Sequence, residues 1–146
     1  IRSPGLTSAP AIADYAAELL AADGLDLTEK DSYIDSREKV HFNRLSAAER
    51  KALIEKNPAY GRVICRCETV TEGEILDAIH SPIPPVSVDG IKRRTGAGMG
   101  RCQGGFCGPR VVDLLARELG VSPLTILQDR DGSEILTAYT KGEVRA

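Results

Sequence analysis

The sequence has 146 residues, enough for one domain or for a small domain with an arm. Its 19 basic and 21 acidic side chains nearly cancel, which excludes a general polyanion-binding role, nucleic acid included. Hydrophobic content is an ordinary 42%, but aromatics are only 4% and tryptophan is absent, so a core must be built from Ala, Leu, Ile and Val.

Residues 1–24 predict a turn followed by a helix. The chain opens on Ile1-Arg2-Ser3-Pro4 instead of methionine, which reads as a fragment of a longer protein. Gly5-Leu6-Thr7-Ser8 offers turn and N-cap chemistry, and Pro10 suits a first helical turn. Ile12, Ala16, Leu19 and Leu20 then recur near helical spacing until Gly24 closes the helix. Residues 25–45 are charged and irregular, with Lys39-Val40-His41-Phe42 as a short extended piece and His41 at the surface. Ser46-Ala47-Ala48-Glu49 is a capping box opening a helix to about Lys56, which Asn57-Pro58 ends.

The next domain starts near Tyr60. Arg62-Val63-Ile64 is a short extended approach to the first cysteines. Thr71-Glu72-Gly73-Glu74 is a second capping box, with Val70 and Ile75 spaced as a hydrophobic staple. Its helix buries Ile75, Leu76 and Ile79 and stops before Pro82. Ser87 caps a helix from Val88 to Thr95, with Lys92, Arg93 and Arg94 near its negative end. Another helix follows Cys107, with Pro109 in its first turn and Val112, Leu115 and Leu119 on one face; Gly120 stops it. Ser122-Pro123 begins a short helix holding Leu124 and Leu127. The tail after Gln128 has turn chemistry, then Ile135, Leu136 and Tyr139; a docking arm and a frayed end both fit it. No run reaches the length of a transmembrane helix and no targeting segment is visible, so direct membrane insertion is not expected.

All four cysteines fall in one stretch, as Cys65-x-Cys67 and Cys102-x4-Cys107. Two close pairs can bring four sulfurs to one place, and three chemistries use such a set. A disulfide framework suits it least, because the chain is not cysteine-dense and Cys65 and Cys67 are too close to pair, although Cys65 to Cys107 stays open. Structural zinc takes four thiolates, usually from C-x2-C or C-x4-C hooks in matched pairs. An iron–sulfur cluster suits the set and also the glycines at 96, 98, 100, 104, 105 and 108, which let backbone N–H groups approach sulfide. Gly96-Ala97-Gly98-Met99-Gly100 follows a basic helix instead of a strand, so it is not a nucleotide loop. Arg66, Lys92, Arg93, Arg94, Arg101 and Arg110 lie near the cysteines in sequence. They serve as solvated helix faces, as compensation for an anionic centre, or as a docking surface for an acidic redox partner.

The C-x-C together with Gly98-Met99-Gly100-Arg101-Cys102-Gln103-Gly104-Gly105-Phe106-Cys107 resembles the [2Fe–2S] domain named after bacterioferritin-associated ferredoxin. Within that family, the C-x4-C spacing resembles the C-terminal domain of FAD-dependent, anaerobic-type glycerol-3-phosphate dehydrogenases over residues 60–127. The resemblance implies that Cys65, Cys67, Cys102 and Cys107 ligate a [2Fe–2S] cluster. Residues 1–13 are similar to the last segment of an FAD-binding oxidoreductase domain of the glycine/D-amino-acid oxidase type, which implies Gly5, Leu6 and Thr7 as flavin contacts.

The expectation is thus a mainly α chain in four parts. Residues 1–24 end an FAD domain, 25–59 form a linker with one helix, 60–128 bind the cluster between helix-turn-helix pairs, and 129–146 are a tail. The resemblance implies electron transfer from flavin, reduced by sn-glycerol 3-phosphate, to an acceptor such as a quinone-linked subunit. The setting is cytoplasmic or peripheral at the inner membrane, and the fragment alone is not catalytic. A zinc-binding interaction domain and the redox module of another FAD-dependent hydroxy- or amino-acid oxidoreductase are the alternatives.

Overall fold

The computed structural model describes residues 4–33, 36 and 39–141. Expectations that fall on residues 1–3, on 34, 35, 37 and 38 of the linker, or on 142–146 of the tail lie outside them. The chain divides into two compact units, Ile1–Glu38 and Lys39–Ala146.

The first unit contains helix α1, Gly5–Ala22. It starts earlier than the sequence suggests: Gly5-Leu6-Thr7-Ser8 is already helical, so Pro10 lies a full turn inside. Proline there removes one backbone hydrogen bond from the helix interior. The end is well specified. Gly24, at φ +93°, donates to the Ala21 carbonyl, and Leu25 donates to that of Leu20 at 2.9 Å, the paired bonds of a Schellman cap. No residue of α1 is buried.

The second unit is mainly helical and begins at Lys39, well before Tyr60. Lys39-Val40-His41 forms no strand, and Phe42–Arg44 is a 3-10 turn with Phe42 buried. The Phe42 N–H donates to Glu74 at 3.1 Å, and the Arg50 guanidinium lies 5.2 Å from its ring centre. Helix α2, Ala47–Lys56, opens on the expected capping box: Ser46 accepts from the Glu49 N–H while the Glu49 carboxylate accepts from that of Ser46. A 3-10 turn, Pro58–Gly61, then buries Tyr60. The Tyr60 ring lies so close to Gly73 that a Cβ there would fall 2.6 Å from it.

Strands β1, Val63–Cys65, and β2, Val70–Thr71, form an antiparallel hairpin with an irregularity between Val63 and Cys65. The second capping box, Thr71 with Glu74, starts helix α3, Glu72–Ile79, and both staple residues, Val70 and Ile75, are buried in one cluster. Helix α4, Val88–Thr95, is capped by Ser87 and closed by Gly96 at φ +83°. Helix α5, Gly108–Leu119, is closed by Gly120 at φ +66°. The three helices pack on one another around Ile75, Ile79, Ile91, Val111 and Leu115. Full burial of each such side chain contributes about 1.5–3 kcal/mol.

After α5, Pro123–Thr125 is one 3-10 turn, and the side chain it anchors is Ile126, 2% exposed, whereas Leu124 and Leu127 are half-buried. This segment completes α4. The carbonyls of Leu127 and Gln128 accept from the N–H groups of Val88 (3.1 Å) and Asp89 (2.8 Å), two donors a helix start leaves unpaired. Among the described residues no helix is long and apolar enough to cross a membrane.

Candidate metal centre

The four cysteines come from two arms. The first is the β1–β2 hairpin, whose turn runs through Thr69 at φ +54°. It buries Cys65 and leaves Cys67 exposed at the tip. The second is the loop from α4 to α5. Its shape depends on Gln103, held at φ +49° while its side-chain amide donates to the carbonyls of Met99 (3.0 Å) and Gly100 (2.9 Å). Cys102 is half-buried on this loop, and Cys107 is buried immediately before α5. The arms meet at Gly100, where an added Cβ would lie 2.2 Å from that of Cys67. Only glycine fits the contact.

Cys67 Sγ and Cys102 Sγ are 3.6 Å apart, and Cys65 is a near neighbour that acts on the buried Cys107 thiol. Two thiolates on one tetrahedral ion with bonds of about 2.3 Å would be ~3.7 Å apart. Among the described residues no three His, Cys, Asp or Glu side chains close on a single point as one ion requires. Four cysteines on two arms suit a two-iron centre, in which each iron takes two cysteines.

The electrostatics separate the two thiols of the second arm. Hydrogen bonding from the Phe106 N–H, then from Cys67 and the N–H groups of Gly104 and Gly105, holds the Cys102 thiol below its ordinary range. Those donors favour its thiolate. Burial, reinforced by the neighbouring Cys65 and Cys102, pushes the Cys107 thiol up to about 11. A buried thiol of that kind gives up its proton to a cation, and the donor set therefore fits a cationic iron centre.

Arg62, Arg66, Arg101 and Arg110 line the concavity of about 820 Å³ that holds the cysteines. Of the basic residues near the cysteines in sequence, the α4 group lies elsewhere. Arg93 pairs with Asp129 and Asp89, and Arg94 donates to the carbonyls of Gly90 and Ile83. Arg62 is bound to the buried carboxylate of Glu72, which also meets Arg117 at 3.1 Å; Arg117 joins Glu118, and Glu118 joins His80. Sequence spacing carries no sign of this chain of charges, because its members come from the residue before β1, from α3 and its C-cap, and from α5. His41 is exposed. In the first unit, no side chain caps α1, so among the described residues the N–H groups of Gly5, Leu6 and Thr7 have no partner within the helix.

Residues 63–117, which run from β1 into α5 and include all four cysteines, match the family described as BFD-like [2Fe-2S] binding domain. The match covers this segment, residues 63–117 of a 146-residue chain. The whole chain is also similar to larger proteins. It is 49% identical over 146 residues to a glycerol 3-phosphate dehydrogenase of Caloramator mitchellensis, covering 99% of this chain and 30% of that protein. Over 95 residues it is 38% identical to the hydrogen cyanide synthase subunit HcnB of Pseudomonas aeruginosa, covering 58% of the chain and 20% of the relative. Over 66 residues it is 36% identical to one subunit of the anaerobic glycerol-3-phosphate dehydrogenase of Escherichia coli K12, covering 45% and 12%. The chain thus spans less than a third of the length of these relatives, and it is similar to one part of two glycerol-3-phosphate dehydrogenases and of a hydrogen cyanide synthase subunit. No solved structure matches it. The BFD-like domain and the paired sulfurs are the same stretch of chain.

Proposed function

We propose that this chain is the [2Fe–2S] electron-transfer module of an FAD-dependent dehydrogenase that oxidises sn-glycerol 3-phosphate to dihydroxyacetone phosphate. Cys65, Cys67, Cys102 and Cys107 hold the cluster, Cys67 with Cys102 on one iron and Cys65 with Cys107 on the other. The observation that carries this is the 3.6 Å separation of Cys67 and Cys102 beside N–H groups aimed at Cys102. When bound, the cluster takes up and releases single electrons. The rest is done by the chain. The N–H groups of Phe106, Gly104 and Gly105 favour the Cys102 thiolate, and burial of Cys65 and Cys107 keeps water from the inner pair.

In the longer protein, residues 1–24 end the FAD domain, with Gly5, Leu6 and Thr7 offering their N–H groups to the flavin at the start of α1. Residues 25–59 are the linker, 60–128 the cluster region and 129–146 the tail. Electrons reach this module from the flavin and leave towards an acceptor such as a quinone-linked subunit, in the cytoplasm or at the inner face of the membrane. The similarity to a hydrogen cyanide synthase component favours a second reading, the same module in an oxidoreductase with a different substrate.

Anaerobic purification tests the centre. The expected result is visible absorption that dithionite bleaches, with two irons and two sulfides per chain, and its loss in Cys67→Ser. A colourless chain with one zinc per molecule would sink the proposal.

A further inference from the structure

The concavity around the cysteines has an unusual rim. Phe106, one of two phenylalanines in the chain, is 84% exposed between Cys102 and Cys107. Val63 lines the same concavity and is exposed, and Met99 is exposed on the Cys102 arm. Arg66, Arg101 and Arg110 line the same concavity, and among the described residues none of them has a carboxylate within ion-pair distance. Arg62 differs, being tied to Glu72. Glu68, in the hairpin turn, is half-buried with its carboxylate against Gly100. Three unpaired guanidinium groups around an exposed aromatic ring are therefore concentrated at one place on a chain of net charge −2.

We propose that Arg66, Arg101, Arg110 and Phe106 form a docking surface for an acidic redox protein. Phe106 seats in an apolar pocket of the partner, as buried aromatic anchors do, and the arginines meet carboxylates around that pocket. Charge complementarity selects the partner, and the exposed Cys67 lies within the docked area, where a single electron can cross. A lipid surface is the competing outcome that the test below separates. The proposal rests on the [2Fe–2S] function above.

The test uses one haem protein in two charge forms. The 146-residue chain, reduced with dithionite and freed of excess, is mixed by stopped flow with native cytochrome c, which is basic, or with its lysine-succinylated form, which is acidic. One electron per haem passes from the reduced chain, taking the haem iron from ferric to ferrous. At 10 mM salt the acidic form should react about tenfold faster. That preference should shrink near 0.15 M salt, as the screening length falls from about 30 to about 8 Å. The triple variant Arg66→Gln, Arg101→Gln, Arg110→Gln should bring the ratio of the two rates to about one. Because both rates are taken on the same reduced chain, a change in its own potential largely cancels from the ratio. Phe106→Ala should weaken calorimetric binding of the acidic form to the oxidised chain without changing the salt slope. A wild-type ratio near one, or a preference that survives the triple variant, overturns the proposal. So does sedimentation of the chain with phosphatidylglycerol vesicles together with a ratio near one, which would assign the surface to lipid. A chain with no visible iron–sulfur bands before mixing overturns the cluster assignment first, a separate and recognisable failure.

Discussion

Helices α1 and α5 both carry apolar residues at helical spacing, gathered more sharply on one face in α5, and they end in different surroundings. Ile12, Leu19 and Leu20 of α1 are 39%, 54% and 49% exposed, whereas Val112 and Leu115 of α5 are 5% and 0% exposed. The cause is not propensity, since both helices are well terminated by glycine in the left-handed conformation. It is the presence of neighbours: α3 and α4 present Ile75, Ile79 and Ile91 to α5, and among the described residues of the first unit nothing comparable is buried. Helical spacing therefore specifies a face, and burial depends on what the rest of the chain brings to it.

The largest effect that sharpens this contrast is a pair of truncations. Leu115→Ala should lower unfolding stability by about 2–5 kcal/mol, since it leaves a cavity among packed helices. Leu19→Ala should change it by less than about 0.5 kcal/mol. Urea denaturation followed at the second unit reads both. Equal losses would mean that the difference in exposure carries no energetic weight.

A second experiment acts where the arms of the centre cross. Gly100→Ala places a methyl group 2.2 Å from the Cys67 Cβ, so the hairpin must move away from the loop. Overpacking of this kind costs about 1–3 kcal/mol, and here it should also lower iron per chain. Gly108→Ala is the control, because nothing lies within 4 Å of its added carbon. If both variants retain full iron, the close approach at Gly100 is not what sets the spacing of the sulfurs.

The parts legible in the sequence are those governed by neighbouring residues. Ser46 with Glu49 and Thr71 with Glu74 are local bonds three positions apart, so both helix starts were readable. The two cysteine arms were readable as a motif, and Cys67 of one lies 3.6 Å from Cys102 of the other. What escaped depends on distant chain. Ile126 is buried because its segment docks on α4, Phe42 because Glu74 takes its N–H, and Glu72 because Arg62 and Arg117 enclose its carboxylate. Lys92, Arg93 and Arg94 looked close to the cysteines along the chain, yet Arg93 and Arg94 turn to the other partners described above. Pro10 was placed by its preference for a first turn, a preference that α1 overrides by starting at Gly5.

The buried Glu72 supplies a smaller, pH-dependent effect. Hydrogen bonding from Arg62, and secondarily from Arg117, holds its carboxyl below the ordinary value of 4.5, against the opposing effect of burial. A depressed folded value means that the contribution is complete above the ordinary carboxylate range and is lost as pH falls through 4.5 towards the folded value. Both arginines are more than half exposed, so screening limits the gain to on the order of 1 kcal/mol. Thermal unfolding of wild type and Glu72→Gln between pH 7 and pH 3 should show the wild type losing its advantage only below about pH 5. A difference that is constant across that range would assign the site to packing instead of charge.

The smallest expected change comes from deleting residues 1–38. The core side chains named above all follow that point, and no residue of α1 is buried. The remaining chain should therefore unfold within about 0.5 kcal/mol of the full one and keep the same iron content. A peptide spanning residues 4–25 should show little helix by circular dichroism, because a helix of this length without a packed face is marginal in water. A loss of several kcal/mol on deletion would break the contrast, since the apolar face of α1 would then be stabilising its own chain. Retained stability with an unstructured peptide would mean that α1 needs a covering surface supplied by a longer polypeptide, and that the BFD-like domain does not.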